Sequence, residues 1–183
     1  GNSTVITAVW GKSTDSTSPS YVSDKSAWSN GYLGAWHFQN LVGNALADSS
    51  PQNYQGTAEG DGVSVTTGQV GQAVTLAGSD DRVNLGRSAG NPGKVFTVSL
   101  WVQMAPGANL NQGDVLLGNK NTNTGTSGWN LYKGTSSSTR LYLRASGSQS
   151  RYKSAVTSWN NGDWYYLAVA FDGSTGATFY ANG

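Results

Sequence analysis

Short stretches of alternating apolar and polar residues, broken by clusters of Gly, Ser, Asn and Asp, run through most of this chain. The clearest is strict: Phe96, Val98, Leu100, Val102 and Met104 share one parity, and Thr97, Ser99, Trp101 and Gln103 the other. Successive side chains of a β-strand point to opposite faces, so this is the pattern of a strand with one buried face. Similar runs predict strands at Gly34–Phe38, Val63–Thr67, Ala73–Leu76, Val83–Leu85, Leu131–Lys133, Arg140–Arg144, Trp164–Phe171 and Thr178–Ala181. No stretch carries helical apolar spacing over three turns. Each sheet must bury its apolar face, so the economical fold is all-β, a two-sheet antiparallel sandwich.

Composition narrows what such a sandwich does. Seven Trp, nine Tyr and 37% hydrophobic residues in 183 supply a sizeable core, within the usual size of one domain. Only 11% of residues are charged, against roughly 25% in an average soluble domain. The surface is therefore solvated by neutral polar residues, a bias common in exported proteins. With a net charge of +1 and no stripe of Lys and Arg, nucleic acid is not an expected partner. The apolar-leaning stretches near 95–102 and 165–171 fall short of the roughly 20 residues of a membrane-spanning helix. With no Cys, disulfides, thiolate metal sites and Cys nucleophiles are excluded. Composition shifts near residue 30, after an apolar run at Val5–Trp10 and a Ser/Thr/Pro-rich connection from Lys12 to Ser26. The expected organisation is an N-terminal extension, or tail of a preceding module with a linker, at 1–30, and the sandwich at 31–183. The opening on Gly1 reads as a mature product or an internal fragment.

Five motifs follow in order from Gly31: GYLGAWHF (31–38), Asp48 with SSPQNYQGT (49–57), GQAVTLAGSDDRVNLG (71–86), FTVSLWVQ (96–103) and GDWYYLAVAFDGSTGATFYANG (162–183). This order resembles the laminin-G-like jelly-roll domains of bacterial secreted proteins, within the concanavalin A-like lectin/glucanase superfamily. Residues 5 to 30 resemble the end of an uncharacterised bacterial domain that often precedes them. Tyr165 and Tyr166 stand where the family usually has His. The resemblance implies a concanavalin A-like jelly roll in the extracellular space or cell envelope, binding a polysaccharide or glycoconjugate without catalysis as a module of a larger bacterial protein. The family pattern continues past the Asn-Gly turn, so the resemblance also implies a sandwich lacking its C-terminal strands. Residues 1–30 folding back, a second chain, or strands beyond Gly183 would complete it.

Glycosidases of this kind need two closely placed carboxylates. The one Glu, Glu59, sits in a Gly-rich segment, and the adjacent Asp80 and Asp81 would point to opposite faces of a strand. No catalytic residue is assigned, and a diverged glucanase is the weakest alternative. His37, the only histidine, has no evident partner and reads as structural. A sugar site needs aromatic surface beside planar polar groups. If Leu131, Leu141 and Leu143 face the core, Asn130, Tyr132, Arg140, Tyr142 and Arg144 turn outward and, on neighbouring strands, form one polar aromatic patch. Its arginines would suit an acidic or sulfated glycan. Trp159, in the SWNNGD turn, is a further candidate at a loop rim, whereas Trp36, Trp101, Trp129 and Trp164 read as structural. The resemblance makes Ca2+ a plausible cofactor, with Asp48 and Asn53 of the polar turn at 48–53 as part of its ligand set. The alternative to glycan binding is a structural or protein-interaction module completed by strand pairing.

Overall fold

The computed structural model describes residues 17, 20–39, 41–86, 93, 95–106, 115–119, 129–133, 141–144, 151–153, 160–173 and 176–183. Among them lie two single-turn 3-10 helices, Ser20–Val22 and Ser26–Trp28, and thirteen strands. These are β1 (Leu41–Val42), β2 (Ala45–Leu46), β3 (Gly56–Glu59), β4 (Val63–Thr67), β5 (Gln72–Leu76), β6 (Arg82–Asn84), β7 (Phe96–Gln103), β8 (Val115–Gly118), β9 (Asn130–Lys133), β10 (Leu141–Arg144), β11 (Arg151–Lys153), β12 (Trp164–Phe171) and β13 (Ala177–Ala181).

Two antiparallel sheets make the sandwich. One has the order β13-β12-β7 and the other β11-β10-β9-β8. The strict parity of residues 96–104 is realised in β7, whose residues alternate between half-buried and exposed. β7 pairs with β12 along its whole length, from Phe96 opposite Phe171 to Gln103 opposite Trp164. Leu167, Val169 and Phe171 of β12 turn inward onto Trp129, Leu131 and Met104, with Val98, Leu100 and Phe179 packed against them. Phe96 joins the two layers, its ring 5.0 Å from that of Trp129 and 5.6 Å from that of Phe171. Leu131, Leu167 and Val169 are fully buried, and each such side chain contributes about 1.5–3 kcal/mol relative to exposure.

A further four-stranded sheet has the order β1-β2-β3-β6, and β4 and β5 form a separate hairpin. Gly56 opens β3 in a buried position, where a Cβ would lie 3.1 Å from both Val83 and Leu85 side chains.

Two expectations are corrected here. Residues 34–38 form no strand. Their alternation is broken at Phe38, which is held at φ +54, and their backbone groups bond to a turn instead of a ladder: Ala35 N–H donates to Asp48 Oδ1 at 2.9 Å, and the Ala35 carbonyl accepts from Ser49 N–H at 2.7 Å. Asp80 and Asp81 lie just before β6, outside any strand. The Asp81 carboxylate accepts from the N–H of Gly62 at 3.1 Å and of Gly78 at 2.6 Å, tying the loop ahead of β4 to the loop after β5.

Candidate functional site

Because β7, β12 and β13 seal their inner face against the core, the opposite parity defines an outer face. There Trp101 of β7 stands opposite Tyr166 of β12. Their ring centroids are 5.3 Å apart and their planes tilted by 48°. Tyr180 of β13 stands opposite Ala168, two residues along β12 from Tyr166, and Ser99 of β7 flanks Ala168 on the other side. Small side chains thus lie beside the aromatic ones. Trp101, Tyr166 and Tyr180 are 42%, 38% and 49% exposed, high values for such large side chains in mid-strand.

The ends of the strands are fixed by amides. Asn182, at φ +58, uses its backbone N–H to donate to the Tyr166 carbonyl and its Oδ1 to accept from the Tyr166 N–H, both at 2.9 Å. Asn tolerates this left-handed conformation better than most residues. Gln103 Nε2 donates to the Gly162 carbonyl at 2.7 Å. Beside Trp101 and Tyr166 lies an open cleft of about 800 Å3, whose lining includes Trp164, Gln69, Asp163 and Asn182. Trp101 was expected to be structural from its motif. Its parity, opposite to Leu100 and Val102, was the better guide, and Tyr166 and Tyr180 carry the same signal.

The residues predicted to form a sugar site fare unevenly. β9 and β10 are neighbours, as the patch requires, and the register sets Tyr142 opposite Tyr132 and Arg144 opposite Asn130. Tyr132 is half-buried. Asn130, however, is only 4% exposed, so its expected outward presentation is corrected. Its partner across the β8–β9 ladder is Gly118, and the Asn130 carboxamide occupies the space that a side chain at 118 would take. Arg140 and Trp159 lie outside the described residues. Trp129 packs inward as expected.

The turn proposed for calcium is built otherwise. Asp48 is buried, and its carboxylate accepts four hydrogen bonds: Oδ1 from the N–H of Ala35 (2.9 Å) and of Ser50 (2.8 Å), Oδ2 from Ser50 Oγ (2.7 Å) and Tyr54 N–H (2.9 Å). Burial alone would raise its pKa; the bonds from Ala35, Ser50 and Tyr54 outweigh it and hold the carboxyl below its ordinary value. Two further oxygens of the turn face a cation already. Lys25 Nζ donates to the Asp48 carbonyl at 2.8 Å and to Asn53 Oδ1 at 2.7 Å. Ca2+ takes six to eight oxygen ligands, and among the described residues no group of three or more acidic or His side chains comes together. Asp48 and Asn53 therefore do not fit a calcium site; donors surround one and an ammonium holds the other.

Two carboxylates of this half of the chain, Glu59 and Asp81, are held in structural bonds. Glu59 is ion-paired with Arg82 and accepts from Asn84 Nδ2 at 2.9 Å. The Asn84 bond, then the Arg82 charge, hold its pKa below the ordinary value against partial desolvation. Asp81 is held low chiefly by the Gly78 N–H. His37 Nδ1 lies 2.9 Å from Ser49 Oγ, and its ring packs 5.1 Å from that of Trp28, which also meets Tyr32 edge-on. The two Trp28 contacts cross position 30, as does the Lys25 bridge, so Lys25 and Trp28 are joined to residues between 32 and 53.

Comparison with known proteins agrees with this architecture. The model of a laminin-G-type family, described as concanavalin A-like lectin/glucanases superfamily, matches residues 76–183. No curated protein and no solved structure matches the chain. The match does not extend to residues 5–30, expected to resemble an upstream domain. It covers more than half of the sequence, from the last residue of β5 through the aromatic sheet, and on that ground the chain belongs to the concanavalin A-like lectin/glucanase superfamily.

Proposed function

We propose that this domain binds carbohydrate without transforming it, as an accessory module of a larger bacterial protein of the cell envelope or extracellular space. The observation that carries the reading is the aromatic outer face of β7, β12 and β13. Trp101, Tyr166 and Tyr180 remain exposed on neighbouring strands of a sheet whose other face is sealed, and a group of exposed aromatic side chains on one face marks an interaction surface. Pyranose rings present apolar C–H faces for such surfaces and hydroxyls for neighbouring amides. The engagement of Glu59 and Asp81 in structural bonds supports binding over hydrolysis. The low charge of the chain supports export.

A second reading has one observation in its favour. Among the described strands, β13 and β7 are the two edges of their sheet, and an open edge can take a strand from another chain. Both readings meet in one experiment, retardation of the chain in gels containing polysaccharide, beside Trp101→Ala and Tyr142→Ala. Retardation lost in Trp101→Ala and kept in Tyr142→Ala is the expected result. Loss in Tyr142→Ala alone moves the site to β10, and a folded chain retarded by no glycan leaves the strand-pairing module standing.

A further inference from the structure

Building on the glycan-binding reading, we infer that the outer face takes a neutral oligosaccharide stretch of more than one pyranose ring, and discriminates against acidic or sulfated glycans. Charge is the first ground. Among the described residues, Asp163 is the one charged side chain lining the cleft. The outward positions of the three strands are otherwise neutral: Thr97, Ser99, Trp101 and Gln103 on β7, Trp164, Tyr166, Ala168 and Ala170 on β12, and Thr178 and Tyr180 on β13. Among the described residues, a uronate or sulfate on this face meets one carboxylate and no cation. With a net charge of +1, the chain has no long-range field to overcome that local repulsion.

Shape is the second ground. Trp101, Tyr166 and Tyr180 stand on three adjacent strands, and at about 4.8 Å per strand the aromatic row is about 10 Å across, with Tyr180 displaced about 7 Å along the sheet. A platform of that extent is longer than one sugar ring, which points to an oligosaccharide stretch rather than a terminal residue. The Trp101 and Tyr166 ring planes are tilted by 48° to one another, so one flat pyranose face lies parallel to one ring at a time and successive sugar rings follow the row. Ser99, Ala168 and Thr178 beside the aromatic groups keep the floor low, so the contact is made by the rings.

The test is affinity electrophoresis and titration calorimetry of the 183-residue chain with hydroxyethylcellulose, a neutral galactan with an axial hydroxyl, polyuronate and heparin, at about 0.05 and 0.5 M salt. Trp101→Ala and Tyr180→Ala are run in parallel, with thermal unfolding to show that each is folded. Binding to the neutral polymers, hydroxyethylcellulose and galactan, that is tighter than to polyuronate or heparin, unchanged by salt and weakened about tenfold in Trp101→Ala and a few-fold in Tyr180→Ala, is the expected result. Binding to heparin or polyuronate that collapses with salt and survives Trp101→Ala overturns the inference while leaving glycan binding in place. No binding of any polymer by the folded chain overturns the glycan reading itself.

Discussion

The two faces of the β13-β12-β7 sheet are made by the same strands, and they differ as much as two surfaces can. Inward, Leu167 and Val169 are fully buried and Phe171 nearly so. Outward, Trp101, Tyr166 and Tyr180 keep roughly two fifths to a half of their surface in water. Alternate positions of β12 thus supply the core and a platform. The lesson is that aromatic content does not say where an aromatic residue works, and parity does. Stability and binding should therefore separate by parity within a single strand.

The largest effect expected is on the inner face. Leu167→Ala should lower unfolding stability by about 4 kcal/mol, read by denaturant titration; a loss below about 1 kcal/mol would mean that the two sheets do not pack as described. Asp48→Ala comes next, at about 3 kcal/mol, because four donors lose their acceptor at a buried position. The same carboxylate sets a pH dependence. Its folded pKa lies below its unfolded value, so its stabilisation is present above about pH 3.9 and fades as the pH falls through the lower folded value. Acid unfolding should accordingly be less steep in Asp48→Asn. Trp101→Ala reverses the pattern, with about a tenfold loss of glycan affinity and only about 1 kcal/mol of stability, from the lost ring contact with Tyr166. Smallest is Lys25→Met, at about 1 kcal/mol, and added Ca2+ should not restore it. Restoration by Ca2+ would show that the turn is a metal site after all.

Much of the sandwich is legible in the sequence, because a strand with one buried face writes its parity into its residues. Val63–Thr67 and Trp164–Phe171 coincide with β4 and β12, and the Phe96–Met104 pattern with β7. The failures occur where a local pattern is overruled from a distance. Residues 34–38 alternate like a strand, yet they bond to the Asp48 turn, whose influence on Ala35 spans 13 positions. Asn130 has the parity of an outward residue, yet Gly118, on another strand, leaves a space that its carboxamide fills. Lys25 belongs to a Ser/Thr/Pro-rich segment that reads as a linker, and only the fold shows its ammonium on oxygens 23 and 28 positions away. The short strands β1, β2 and β11, of two or three residues each, are too brief for alternation to register.

The most direct test of the separation between faces is to measure both properties on one sample. Titration calorimetry with the best-bound soluble glycan, followed by thermal unfolding, would be run on the chain and on Trp101→Ala. The account predicts that the substitution removes most of the binding heat and leaves the unfolding midpoint within about four degrees of the parent. Unchanged affinity, or an affinity lost only together with the fold, would contradict it.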